Sequence, residues 1–344
     1  MQKNVTAVTL ISLCVVLFTS LLTLFMGVYQ FENGIVDTLF QLFQTDTTWK
    51  ETDWFVLMHL RIPRIVMALL VGCCLAVSGT SLQGMFKNPL ASPDLIGMTS
   101  GAVLFAGITI VLGSYIKKYL PEMLYFSMVG ILSFVGSLLS MLLVYGMAQT
   151  NKKTNIVLLL LSGVAISAIC GATTGLLTYV STDEELRNLT FWTLGSLGGA
   201  NWTKNAILAV VTGVGLCILL PKGKALNAFL LGENDAKHLG IPVEKIKTQI
   251  IITTALMVGT CVAFCGTIGF IGLIVPYILR LLFKSNYLYI LPLSAVLGSF
   301  IMVVADTVSR TVVAPSEIPI GILTAFMGAP VFILLLIRYK KGKI

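Results

Sequence analysis

The chain has 344 residues, 56% of them hydrophobic and only 11% charged, with a mean hydropathy of +0.94. That composition excludes an ordinary soluble protein, whose surface needs far more charge, and points to one all-α polytopic bundle in lipid, residues 1–344 forming a single domain. The formal charge of +8 then reads as membrane topology and not as affinity for nucleic acid.

Crossing a bilayer takes about 20 apolar residues, because every backbone polar group must be satisfied within the segment. About ten such spans can be placed: 6–28, 65–83, 94–112, 123–147, 155–180, 203–220, 249–265, 268–283, 288–310 and 319–337. The first is longer than a signal-peptide core and has no small-x-small cleavage pattern after it, so it reads as a retained helix. A mixed loop with Glu32, Asp37, Asp46, Glu51 and Asp53 separates it from the second span.

Between spans two and three, Ser92 suits an N-cap, Pro93 the first helical position, and Asp94 the positive end of the helix that follows. Close helix packing explains the glycines of this turn, but it does not ask for Gln83, Asn88 and two prolines together. In span five, Ser162, Ser167, Thr173 and Thr174 accompany Gly163 and Gly171, a pattern that suits close packing or a wet, non-sticky wall.

Between spans six and seven lies a polar island, residues 221–248, with Lys222, Lys224, Lys237, Lys245 and Lys247 interspersed with acids. Its apolar positions predict one or two short amphipathic helices, broken at Gly240-Ile241-Pro242 because proline forfeits a helical hydrogen bond.

Both termini are placed on the cytoplasmic side. Lys3, Lys87, Lys152, Lys153, the five island lysines, Arg280, Lys284, Arg338, Lys340, Lys341 and Lys343 then lie inside, 15 of the 23 basic residues. Spans two to five and seven to ten would be oppositely oriented, the arrangement of an inverted repeat. The seven cysteines, Cys14, Cys73, Cys74, Cys170, Cys217, Cys261 and Cys265, all fall in apolar segments and read as packing residues, with no metal site.

Several motifs in order resemble the FecCD-type permease family. They are Arg61-Ile-Pro63-Arg64, the run from Gly79 through Leu82-Gln83-Gly84 and Asn88-Pro89-Leu90-Ala91 to Pro93, and Phe191-Trp192 with Leu194-Gly195-Ser196. Leu231-Gly232-Glu233 with Ala236 and Leu239-Gly240, Gly266 to Pro276, and Pro319, Gly321 and Gly328-Ala329-Pro330 complete the set, which covers nearly the whole chain from about residue 55. One departure is Tyr277, where the family commonly has histidine.

The resemblance implies a type II ABC importer permease of the bacterial cytoplasmic (inner) membrane. It would be a homodimer with two ATPase subunits and an extracytoplasmic substrate-binding protein, moving a ferric siderophore or haem, or alternatively cobalamin. It also implies that the island couples to the ATPase near Leu231, Gly232, Glu233, Ala236, Leu239 and Gly240. Arg61, Arg64 and Arg310, at the outer ends of spans two and nine, would meet carboxylates of the binding protein; ordinary interfacial snorkelling is the alternative. For Arg310 a pair with Asp306, four residues earlier, is a further reading, and it gives Asp306 a structural role. Ser162, Ser167, Thr173 and Thr174 become candidates for the translocation path.

Independently of the family, no Gly-x-x-x-x-Gly-Lys-Ser/Thr loop is present, so ATP and Mg are expected on the partner ATPase and no enzymatic activity on this chain. A gradient-driven transporter would call for unpaired mid-membrane carboxylates, and Asp306 alone stands in such a segment. His59 and His238 read as an unliganded interfacial residue and a surface residue.

Overall fold

The computed structural model describes residues 2–27, 29, 51–113, 122–150 and 153–340. The loop carboxylates Glu32, Asp37 and Asp46, and Lys152, Lys341 and Lys343 among the cytoplasmic basic residues, lie outside them. Ten long helices match the ten predicted spans: α1 (Gln2–Leu24), α2 (Ile62–Phe86), α3 (Met98–Leu112), α4 (Glu122–Met147), α5 (Ile156–Val180), then α7 (Trp202–Leu219), α10 (Val243–Cys265), α11 (Ile271–Phe283), α12 (Tyr287–Thr311) and α13 (Ile320–Lys340). Three short helices lie among them, α6 (Asp183–Leu194), α8 (Gly223–Leu231) and α9 (Glu233–His238), and a short helical stretch, Glu51–Phe55, leads toward α2. Among the described residues seven helical stretches are long and apolar enough to cross a bilayer, and three shorter apolar helices fill the remaining spans.

Two boundaries differ from expectation. Span three begins at Met98, because residues 93–96 form a single 3-10 turn that ends in Gly97 at φ +80, a conformation glycine adopts at low cost. Ser92 sits at the N-cap position of that turn but its side chain makes no capping bond. Span seven begins at Val243, so Lys245 and Lys247 belong to the first turns of α10 rather than to the polar island. The island keeps two helices, broken first at Gly232 and again at Gly240.

The core is built around α2. It packs along α12, where Gly72 and Gly298 face each other so closely that a Cβ on Gly72 would lie 2.2 Å from the Gly298 carbonyl oxygen. Small residues at such crossings let backbones approach in lipid, where dispersion has to supply what hydrophobic burial supplies in water. The packing is paired across the molecule: α2 contacts α11 and α12 as α10 contacts α3 and α4, and α3 contacts α4 and α5 as α11 contacts α12 and α13. That is the pattern two oppositely oriented four-helix sets give.

The motif around Gln83 has a structural explanation. Gln83 donates to the Gly272 carbonyl at 3.2 Å and accepts from Arg280, tying the C-terminal end of α2 to α11. Lys87 adopts the left-handed conformation that ends α2, and Asn88 accepts from the Leu90 N–H at 2.9 Å in an Asx turn.

Candidate functional site

Residues 223–240 form a hook at the end of the bundle opposite Arg61, Arg64 and Arg310. Leu226 and Phe229 of α8 are buried against α2 and α12. Asn227 fixes the register, donating to the Asn286 side chain at 2.8 Å and accepting from the Tyr287 N–H at 2.8 Å. The chain then bends at Gly232 (φ +142) and leaves α9 at Gly240 (φ +78), both positions that a side chain would strain.

The six predicted coupling residues divide by this geometry. Leu231 and Leu239 are 68% and 64% exposed, two leucines with nothing of this chain over them. Ala236 is fully buried and supports the hook from beneath, so it does not itself form a contact surface. Gly232 and Gly240 are the bends. Glu233 turns inward and meets Lys247 at 2.8 Å.

Lys247 is the residue that the sequence left unmarked. It is 1% exposed, and its ammonium also reaches the Thr154 carbonyl at 3.2 Å and Glu244 at 3.6 Å. Glu244 in turn accepts from the Thr154 N–H at 2.9 Å. Thr154 belongs to a two-stranded hairpin, Gln149–Thr150 with Lys153–Thr154, and the next residue, Asn155, caps α5 by accepting from Val157 and Leu158. A charge–acid–acid spacing on adjacent turns marks a surface pair in most sequences, so only the fold could show that this one is enclosed.

At the other end of the bundle the three arginines are engaged within the chain. Arg61 lies in a π-helical turn, Val56–Arg61, and donates to the carbonyls of Leu24 and Tyr29. Arg310 donates to the Thr23 carbonyl at 2.6 Å. Thr23 and Leu24 close α1, so both guanidiniums satisfy carbonyls that the helix end leaves without intrahelical donors, where positive charge is favoured. Arg64 directs its Nε to Asp306 at 2.9 Å and its fork to Glu317 at 2.7 and 3.0 Å. Asp306, expected to pair with Arg310, is buried and held principally by Arg64, with Arg310 at 3.8 Å. Glu317 is 44% exposed on the segment before α13. His59 stacks on Phe55, and His238 is exposed on the hook.

Three of the motifs converge where α6, α11 and α13 meet. A Cβ on Gly195 would lie 2.5 Å from the Thr267 carbonyl oxygen, one on Gly266 2.1 Å from that of Trp192, and one on Gly321 2.4 Å from that of Leu194. Beside this junction are two adjoining cavities. One of about 570 Å³ is lined by Thr193, Thr267, Phe270, Gly321 and Phe326, and one of about 440 Å³ by Asp94, Thr99, Ser100, Thr174 and Thr267. Phe270 stands at φ +68, a rare conformation for a bulky residue and one that sequence does not announce.

Of the four predicted path residues, Thr174 lines the smaller cavity. Ser162 is buried, and Ser167 faces Gly97 with its hydroxyl enclosed. Thr173 and Thr174 bond back to the carbonyls of Ile169 and Cys170 at 2.9 and 2.8 Å, which leaves their methyl groups and oxygen lone pairs outward. Tyr277 is buried in the core. Among the described residues no group of three or more His, Cys, Asp or Glu is placed to hold a metal ion.

The helical bundle thus carries a folded hook on one end and an enclosed charge cluster at the other. The model of the FecCD transport family matches residues 13–338, and the chain belongs to that family. It is the membrane-spanning permease subunit of an ABC transporter. It is 39% identical over 299 residues to the hemin transport system permease protein HmuU of Yersinia pestis, covering 87% of this chain and 88% of that one. It is 37% identical over 295 residues to the vitamin B12 import system permease protein BtuC of Citrobacter koseri, covering 84% and 87%. A solved inward-facing structure of a putative metal-chelate type ABC transporter superposes with a TM-score of 0.82 at 30% identity, covering 98% of this chain and all of the other.

Proposed function

We propose that this permease imports an iron chelate, a ferric siderophore or haem, as a homodimer served by two ATPase subunits and an extracytoplasmic binding protein. The observation that carries the reading is the hook, which displays Leu231 and Leu239 on a bent, rigidly seated support. Paired exposed leucines on such a support suit an apolar cleft on a partner. ATP and Mg belong to that partner, and the permease performs no chemistry of its own. The hook and both termini lie in the cytoplasm, the arginine end outside.

The cargo would pass along the wall formed by α3, α5 and the segment 267–270, where Thr99, Ser100, Thr174 and Thr267 line open space. Likeness to a hemin permease favours haem; likeness to vitamin B12 permeases supports cobalamin as the second reading. Reconstitution in liposomes with the ATPase and binding protein, offering haem, a ferric siderophore and cobalamin separately, distinguishes these. ATP-dependent uptake of one chelate alone names the cargo. Uptake of none, with ATP hydrolysis indifferent to loaded binding protein, rejects the proposal.

Replacing Ala236 by tryptophan is expected to displace α9 from its seat, since overpacking a filled site costs about 1–3 kcal/mol. ATP hydrolysis should then continue without uptake, and normal uptake by the assembled variant would refute the role given to the hook.

A further inference from the structure

We infer that Lys247 is a positioning residue that joins the hook to the base of α5, so that displacement of the hook is delivered to the helix lining the path. The inference rests on the coupling role proposed for the hook, and its geometry stands on its own. One ammonium on α10 contacts two other segments, Glu233 at the start of α9 at 2.8 Å and the Thr154 carbonyl of the hairpin at 3.2 Å, and also Glu244, one turn earlier on its own helix, at 3.6 Å. Glu244 closes the circuit by accepting from the Thr154 N–H.

The circuit continues in both directions without a gap. Asn155, adjacent to Thr154, caps α5, so a shift of the hairpin moves the first turn of that helix. On the other side Tyr145, at the end of α4, shares a 2.7 Å hydrogen bond with Thr248, so α4 is tied to α10 one residue beyond the lysine. Between hook and hairpin lies an open cleft of about 460 Å³ lined by Thr150, Lys153, Asn155 and Glu233. Across that cleft the lysine is the enclosed polar bridge, while packing between the hook and the hairpin is sparse.

Burying an ammonium is costly unless its donors are used, and this one has three donors on two carboxylates and a carbonyl. Two of those three acceptors belong to other segments, the hook and the hairpin, and a link from one helix to both is what a mechanical joint requires. A buried polar bridge of this kind transmits motion because it holds one arrangement, and removing the lysine leaves two partly exposed carboxylates without their shared cation.

The test is a distance measured on the complex with its ATPase subunits. Spin labels are placed at Asn234→Cys on the hook and Lys153→Cys on the hairpin, with the exposed Cys14 and Cys217 replaced by serine. The distance is expected to be the same without nucleotide and with ATP trapped by vanadate, because hook and hairpin move as one body. Lys247→Met should depopulate that distance about tenfold in the trapped state, the size of coupling a single network residue carries. Lys247→Arg should restore part of it.

An unequal distance in the two states of the otherwise native chain, or an unchanged distance in Lys247→Met, overturns the inference. If the methionine variant fails to assemble, Glu233→Gln takes its place and must show the same loss; an unchanged distance there overturns the inference equally. Failure of the coupling role itself reads differently: Ala236→Trp would transport normally while the hook-to-hairpin distance still responded to Lys247.

Discussion

The two ends of this permease each enclose a cation, and they do it in opposite ways. At one end, planar guanidiniums meet fixed acceptors: Arg61 and Arg310 the last carbonyls of α1, Arg64 the carboxylates of Asp306 and Glu317. At the other, one ammonium on a flexible stem serves three acceptors. Arginine's fork fixes orientation as well as distance, whereas the compact charge of a lysine can gather acceptors that arrive from different directions. The comparison separates a frame from a joint: the arginine end holds α1, α2 and α12 in register, and the lysine end links a hook to a hairpin.

The sharpest way to break that comparison is to remove the acid at the centre of the frame. Asp306→Asn leaves Arg64 and Arg310 without their shared buried carboxylate, and uncompensated buried charge costs about 3–5 kcal/mol. The thermal midpoint of the detergent-solubilised permease should fall accordingly, and uptake should fall only as folded protein is lost. A variant of native stability would mean that the outer cluster is not a frame.

Next in size is the hook's exposed apolar face. Leu231→Ser and Leu239→Ser should leave the melting temperature of the isolated permease unchanged, since both side chains are largely free of it. Each should weaken ATPase binding by about 1.5–3 kcal/mol, roughly tenfold or more, if the leucine is covered in the complex. Pull-down of the ATPase at varied concentration reads this directly. Equal affinity for both variants would move the docking surface elsewhere on the hook.

These two ends were unequally legible in the sequence. Ten spans could be placed because length and apolarity alone decide what crosses lipid. Gly195, Gly266 and Gly321 stood out as motif residues, yet only the fold shows that each admits a neighbouring carbonyl. The arginines could be marked because a charge at the end of an apolar run is conspicuous, but their partners could not: the carbonyls of Thr23 and Leu24 carry no sequence signal, and Glu317 is 253 residues from Arg64. Lys247 escaped for the reverse reason. It stood among four other basic residues of a polar stretch, where enclosure of one of them depends on a hairpin more than 90 residues away. Ala236 shows the limit of motif transfer, since a residue can belong to a coupling motif by supporting the surface and not by forming it.

The smallest expected effect bears on whether Arg64 has a second role. Glu317→Gln removes an exposed carboxylate from a guanidinium that keeps Asp306, so stability should change by less than about 1 kcal/mol. Its effect on docking is the informative one. In the free permease Glu317 occupies the same fork that a carboxylate of the binding protein would need, and it does so from an exposed position. With glutamine there, the fork competes less strongly for its internal partner and the local positive potential rises. Association with the binding protein should quicken at low ionic strength, and the gain should vanish as salt screens it. An association rate that ignores both the substitution and the salt would place Arg64 wholly within the frame and leave docking to other residues of the outer surface.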